Sequence, residues 1–129
     1  LRSIATLIVQ GNIQANEIRR SPTLSDFWLR QSKLPKKRIH HGSDWHRETM
    51  EKIENHFLVQ GFRVIREPVL QQGRADLGVY KDNCPDLFVE VGTVSLFKIM
   101  INLVTMKNFV YLMVPNDDVL IEFVKTDKQ

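Results

Sequence analysis

Apolar positions recur at two different spacings along this chain, and the alternation between them predicts its elements. From Ser43 to about Val59, His46, Met50, Ile53 and Phe57 fall on one stripe at helical spacing. Ser43 or Asp44 can cap that helix, and Gly61 stops it. Three β-like runs follow, Phe62 to Glu67, Ala75 to Tyr80 and Leu87 to Val91. Gln71-Gln72-Gly73 separates the first two, and Lys81-Asp82-Asn83-Cys84-Pro85 the second pair, as loops of hairpin type. A second helix, about Ser95 to Met106, carries Leu96, Ile99, Met100 and Leu103 at helical spacing. Phe109 to Val114 is continuously apolar, the mark of a strand covered on both faces. Asn116-Asp117-Asp118 then turns the chain into a last strand, Val119 to Val124. The order α-β-β-β-α-β-β predicts an α/β fold, a mixed sheet flanked by helices.

Before Ser43 the pattern is weaker. Ile4, Leu7, Ile8, Ile13 and Ile18 suggest a loose helix over 1–18, weakened by Gly11. Ser21-Pro22-Thr23 signals the start of a short helix with Leu24, Phe27 and Trp28. Leu34-Pro35 breaks it, and His40-His41-Gly42-Ser43 reads as a linker. The expected division is a basic helical arm, 1–42, and a main domain, 43–129.

Charge sharpens that division. Residues 1–43 carry eight basic side chains against two acidic ones, a net +6, whereas the remainder is at −3. Such an arm points to a polyanion, with Arg19, Arg20, Lys33, Lys36, Lys37 and Arg38 as candidate phosphate contacts. A solvated helix face, or an oligomerisation arm packing Leu24, Phe27 and Trp28 on a partner subunit, is the alternative. With 129 residues and 43% hydrophobic content, the chain fits one compact domain. The lone Cys84 excludes an internal disulfide framework and suits a reducing, cytoplasmic interior. The longest apolar stretch, 96–106, is broken by Lys98 and Asn102 and falls short of the roughly 20 residues of a membrane span. There is no signal-like stretch and no Met at position 1, so the chain is expected to begin within a longer product.

Two acids sit where acids are costly. Asp76 interrupts Gly-Arg-Ala-Asp-Leu-Gly-Val-Tyr, and Glu90 interrupts Asp-Leu-Phe-Val-Glu-Val-Gly-Thr. A carboxylate in an apolar strand needs a partner or a metal. The two strands are consecutive, so both groups are expected on one face, close enough to share Mg²⁺ or Mn²⁺. The bland reading places each acid on an exposed edge or in an ordinary salt bridge. The histidines show no zinc spacing, no Gly-rich phosphate loop is present, and Cys84 has no matched base.

These residues carry a resemblance. Gln60-Gly61-Phe62-Arg63-Val64-Ile65-Arg66, Arg74-Ala75-Asp76-Leu77 and Phe88-Val89-Glu90-Val91, in this element order, resemble the PD-(D/E)XK nuclease superfamily. Within it the chain resembles in particular archaeal Holliday junction resolvases and related archaeal or viral nucleases, over about 75 of the 129 residues. The resemblance implies a restriction-endonuclease-like α-β-β-β-α-β core and Mg²⁺-dependent hydrolysis of DNA phosphodiesters. Asp76, Glu90 and the Val91 carbonyl would hold the metal, and a homodimer would act if junctions are cut. One position departs from the motif, because its lysine is replaced by Gly92. Lys98, in the first turn of the following helix, is the first choice of substitute. Arg74, two residues before Asp76 and so expected on the same face, and Thr93 are the others. In the first helix, His46 is favoured over Glu48, Glu51 and Glu54 as an additional site residue, because it lies in the apolar stripe. If nothing replaces the lysine, the alternative is a catalytically impaired nucleic-acid-binding protein on the same fold.

Overall fold

The computed structural model describes residues 11–19 and 43–127. In chain order the elements are β1 (Ile13–Arg19), α1 (Ser43–Val59), β2 (Arg63–Arg66), β3 (Leu77–Tyr80), β4 (Asp86–Val91), α2 (Leu96–Thr105), β5 (Phe109–Val114) and β6 (Val119–Lys125). The strands form a six-stranded mixed sheet in the order β1-β6-β5-β4-β3-β2. Only β4 and β5 run parallel, and α2 carries the crossover between them. The α/β class and the α-β-β-β-α-β-β order from Ser43 are as the apolar spacing predicts.

The two helices cover opposite faces, because alternation along the strands splits the core in two. Met50 and Ile53 of α1 pack on Leu77, Val79, Val89, Val91 and Val114. Leu103 of α2 packs on Phe88, Phe109, Tyr111 and Met113. The β5 run is therefore apolar throughout because both of its faces are covered, odd positions by α2 and even ones by α1. The Ser95 hydroxyl accepts the Lys98 N–H at 3.0 Å and caps the start of α2. At the far end Lys125 is buried, its Nζ donating to the carbonyls of Leu103 and Met106, each at 2.7 Å. A cation there satisfies orphan carbonyls and complements the helix dipole. Burial holds this ammonium below the usual lysine range. Among the described residues, no helix is long and apolar enough to cross a membrane.

Two expectations are corrected. Residues 13–19 are a strand, not part of a helix, and every one of them pairs with β6. β1 lies at the sheet edge, where only Ile13 is buried among the residues whose side chains are described, so it carries little two-fold periodicity. Pairing with β6 decides its conformation, and tertiary context overrides local pattern. The sheet thus begins before residue 43, so its first strand comes from the expected arm. β3 also starts two residues later than expected, because Ala75 and Asp76 lie ahead of its paired stretch. The short helix around Leu24, Phe27 and Trp28 and the 40–43 linker fall outside the described residues, apart from Ser43.

Candidate functional site

A cleft of about 680 Å³ opens where β4 and β5 end, lined by Trp45, His46, Asp76, Glu90, Lys98 and the 91–95 turn among others. In open α/β sheets the carboxyl ends of parallel strands are the place where ligands bind. Here the site is assembled by the end of β4, the first turn of α1, the first turn of α2 and the segment before β3.

Asp76 reaches it through a defect in the ladder. The β3–β4 register pairs Leu77 with Val89, which would set Asp76 opposite Glu90. Instead the Asp76 N–H bonds the Val89 carbonyl at 3.0 Å, one residue off that register. The freed Val91 N–H then donates to Asp76 Oδ2 at 2.7 Å. His46 Nε2 stands 3.3 Å from the same oxygen. Local offsets of this kind re-aim a side chain beside many sites.

Glu90 is 4% exposed on the face that α2 covers. Its Oε2 accepts from the Tyr111 hydroxyl at 2.7 Å and lies 3.0 Å from Lys98 Nζ. Burial pushes this carboxyl above the usual carboxylate range; the Tyr111 and Lys98 donors oppose that shift, and the charge of Asp76 adds to it. Burial, with Glu90 beside it, also drives the Tyr111 phenol above its ordinary range.

Lys98 arrives where the sequence expects a substitute lysine. Besides Glu90 it donates to the Arg74 carbonyl, and a Cβ at Gly73 would sit 3.3 Å from its Cε. Ion pair, carbonyl and close backbone hold the ammonium at the cleft floor. Two residues after Glu90 the chain has Gly92. Its φ is +89°, a left-handed conformation costly for any residue bearing a side chain.

Arg74 is a correction. Its guanidinium donates to the Glu67 carbonyl at 3.3 Å, and it does not line the cleft. The offset between Arg74 and Asp76 breaks the strand alternation on which the same-face expectation rests. None of the α1 glutamates is among the described residues lining the cleft; Glu54 is bound to Arg66 at 2.7 Å and Glu51 lies near Arg47. Thr93 lines the cleft. Arg19 ends β1, opposite Val119; Arg20, Lys33, Lys36, Lys37 and Arg38 lie outside the described residues.

Three residues carry site geometry that sequence reading does not assign. Tyr111 looks like core in an apolar strand, and Asn102 is a buried polar residue on a largely apolar helix that also carries Lys98 and Thr105. Trp45 walls the cleft and donates to Asp117 at 3.2 Å. The one sequence signal was the i, i+4 spacing of Lys98 and Asn102, which puts both on one face of α2.

Among the described residues, no group of three or more His, Cys, Asp or Glu side chains is placed to hold a metal. The donors lining the cleft are two carboxylates, backbone oxygen and the His46 imidazole, which already stands against Asp76 Oδ2. The predominance of carboxylate and backbone oxygen fits Mg²⁺ or Mn²⁺. No family model, curated protein or solved structure matches the chain.

Proposed function

We propose that this chain is a metal-dependent DNA endonuclease on a restriction-endonuclease-like core. The seat of Lys98 carries the reading: an ammonium 3.0 Å from a buried glutamate, in a cleft shared with an aspartate, where Gly92 has displaced the motif's lysine. Asp76, Glu90 and the Val91 carbonyl would hold Mg²⁺ or Mn²⁺. When bound, the metal supplies Lewis acidity toward a phosphoryl oxygen and toward water.

The chain's own residues do the rest. Hydrolysis forms a bond from a water oxygen to phosphorus as the bridging P–O bond opposite it breaks. Water gives up one proton and the leaving oxygen gains one. The Lys98 ammonium meets the negative charge that grows on the phosphoryl oxygens, in a site where such a charge is worth more than in water. The Val91 N–H and His46 fix the Asp76 carboxylate through Oδ2. The basic stretch before Ser43 would supply phosphate contacts that carry no base information. A junction substrate would require a homodimer, because symmetric cuts need two sites.

Gly92, standing where the resembled motif has its lysine, favours one further reading, a protein that binds DNA on this fold without cutting it. Linear, flap and four-way DNA incubated with Mg²⁺ separate the two. Cleavage of at least one substrate, lost in Asp76→Asn, supports the endonuclease. Retained DNA binding with no cleavage of any substrate supports the binding protein, and neither binding nor cleavage overturns both.

A further inference from the structure

Behind the two carboxylates lies a closed ring of hydrogen bonds, buried where it passes through Tyr111. Tyr111 and Asn102 are both fully buried. The Tyr111 hydroxyl spends its proton on Glu90 Oε2 at 2.7 Å and accepts from Asn102 Nδ2 at 3.4 Å. The Asn102 amide also grips the backbone of Gln72 from both sides. Its Nδ2 donates to the Gln72 carbonyl at 3.0 Å, and its Oδ1 accepts the Gln72 N–H at 2.7 Å. One turn earlier on α2, Lys98 joins the Arg74 carbonyl to the same Glu90 oxygen. The ring therefore runs from Glu90 through Tyr111 and Asn102 to Gln72, along the loop to Arg74, and back through Lys98.

Two donors converge on Oε2. Among the described residues, no donor is bonded to Oε1. We propose that Tyr111 is a positioning residue that, with Lys98, occupies Oε2 of Glu90 so that Oε1 is the oxygen offered to a divalent cation, and that Asn102 fixes Tyr111 by tying it to the Gln72 backbone. This rests on the metal-dependent reading above. It also assigns the 72–74 loop a role, because the loop sets the positions of both donors to Glu90. A phenol in an apolar interior has other ways to be satisfied. Here it is aimed at the one carboxylate beside the cleft, and a buried amide with three bonds of its own holds it there. Partners that orient a metal's ligand in this way typically change metal affinity by about 10–100-fold when removed.

The test is Mn²⁺ binding followed by paramagnetic resonance on the full chain, without DNA, for wild type, Tyr111→Phe and Asn102→Ala. Melting curves without metal accompany each protein. Tyr111→Phe keeps the ring and its packing, and Asn102→Ala leaves the phenol but frees it from Gln72. The expected result is about a tenfold or greater loss of Mn²⁺ affinity in Tyr111→Phe and a smaller loss in Asn102→Ala. Both variants should keep a cooperative melt. If Tyr111→Phe fails to fold, Asn102→Ala decides alone: a several-fold loss supports the role, and an unchanged affinity refutes it. Wild-type binding equalled by both variants overturns the positioning role and leaves the endonuclease reading standing. No Mn²⁺ binding by the wild type overturns both.

Discussion

Replacing Lys98 with Met removes a charge and keeps most of a chain's apolar length. Glu90 then sits 4% exposed with only Tyr111 as a donor. Breaking a buried ion pair by removing one partner costs about 3–5 kcal/mol. Two features reduce that figure. The Lys98 side chain is 21% exposed, and the Tyr111 bond to Glu90 survives. The loss at pH 7 should be about 2–3 kcal/mol, or about 8–12 °C in melting temperature for a domain of this size.

Its pH dependence distinguishes charge from packing. Burial already raises the Glu90 carboxyl above its unfolded value, and Lys98 opposes that shift. A folded-state pKa above the unfolded one means that stability is fully present at low pH and is lost as pH rises through the folded value. Removing Lys98 raises the folded value further, so the gap from wild type opens only above the ordinary carboxylate range. Thermal melts by circular dichroism at pH 4 and pH 7 should differ by a few degrees at most in the acid and by the full amount at neutrality. An equal gap at both pH values would refute the argument and show that Lys98 acts by packing its stem on Gly73. The double variant Lys98→Met/Glu90→Gln should recover most of the loss at pH 7.

Three further outcomes follow from the same geometry. Asp76→Asn should abolish cleavage in the Mg²⁺ assay and change stability by less than about 1 kcal/mol in urea unfolding, because the amide oxygen can still accept the Val91 N–H. Gly92→Lys should cost about 1–2 kcal/mol in the same unfolding assay through its left-handed backbone, and it should not restore cleavage to Lys98→Met. Lys125→Met should lower stability by about 2–4 kcal/mol, since the carbonyls of Leu103 and Met106 lose a buried donor, and chemical denaturation at pH 7 reads the loss directly.

The elements were legible where burial imposes periodicity. The α1 stripe, the α2 stripe and the β5 run each have one or two covered faces, so their patterns are strong. β1 has solvent on much of its surface and one neighbouring strand, and its seven residues show no period that separates strand from helix. In the site, Asp76 and Glu90 stood out because an acid is conspicuous in an apolar strand. Lys98 was legible only against the motif that Gly92 interrupts. Tyr111 was not legible, because an aromatic residue in an apolar strand signals core whether or not its hydroxyl is in use. Arg74 misled because alternation holds along a regular ladder, and the ladder is offset between it and Asp76. Lys125 closes a strand whose lysine reads as solvated from sequence alone, yet its ammonium ends beneath the last turn of α2.

The pairing of β1 with β6 joins residues a hundred or more positions apart, as the Asn16–Glu122 side-chain bond across it illustrates. The remaining neighbours in the sheet lie much closer along the chain. The entropy of closing a loop grows only slowly with its length, but it must be met before the contacts it permits are gained. The compact run from α1 to β6 is therefore the part suited to nucleate, and β1 docks onto an edge already formed. Until it docks, β6 shows a row of unpaired backbone groups, and the core cluster that holds Phe109 and Tyr111 lacks Ile13. A fragment cut at residue 43 would keep every described residue of the cleft and expose that edge permanently, so its characteristic failure would be self-association through β6.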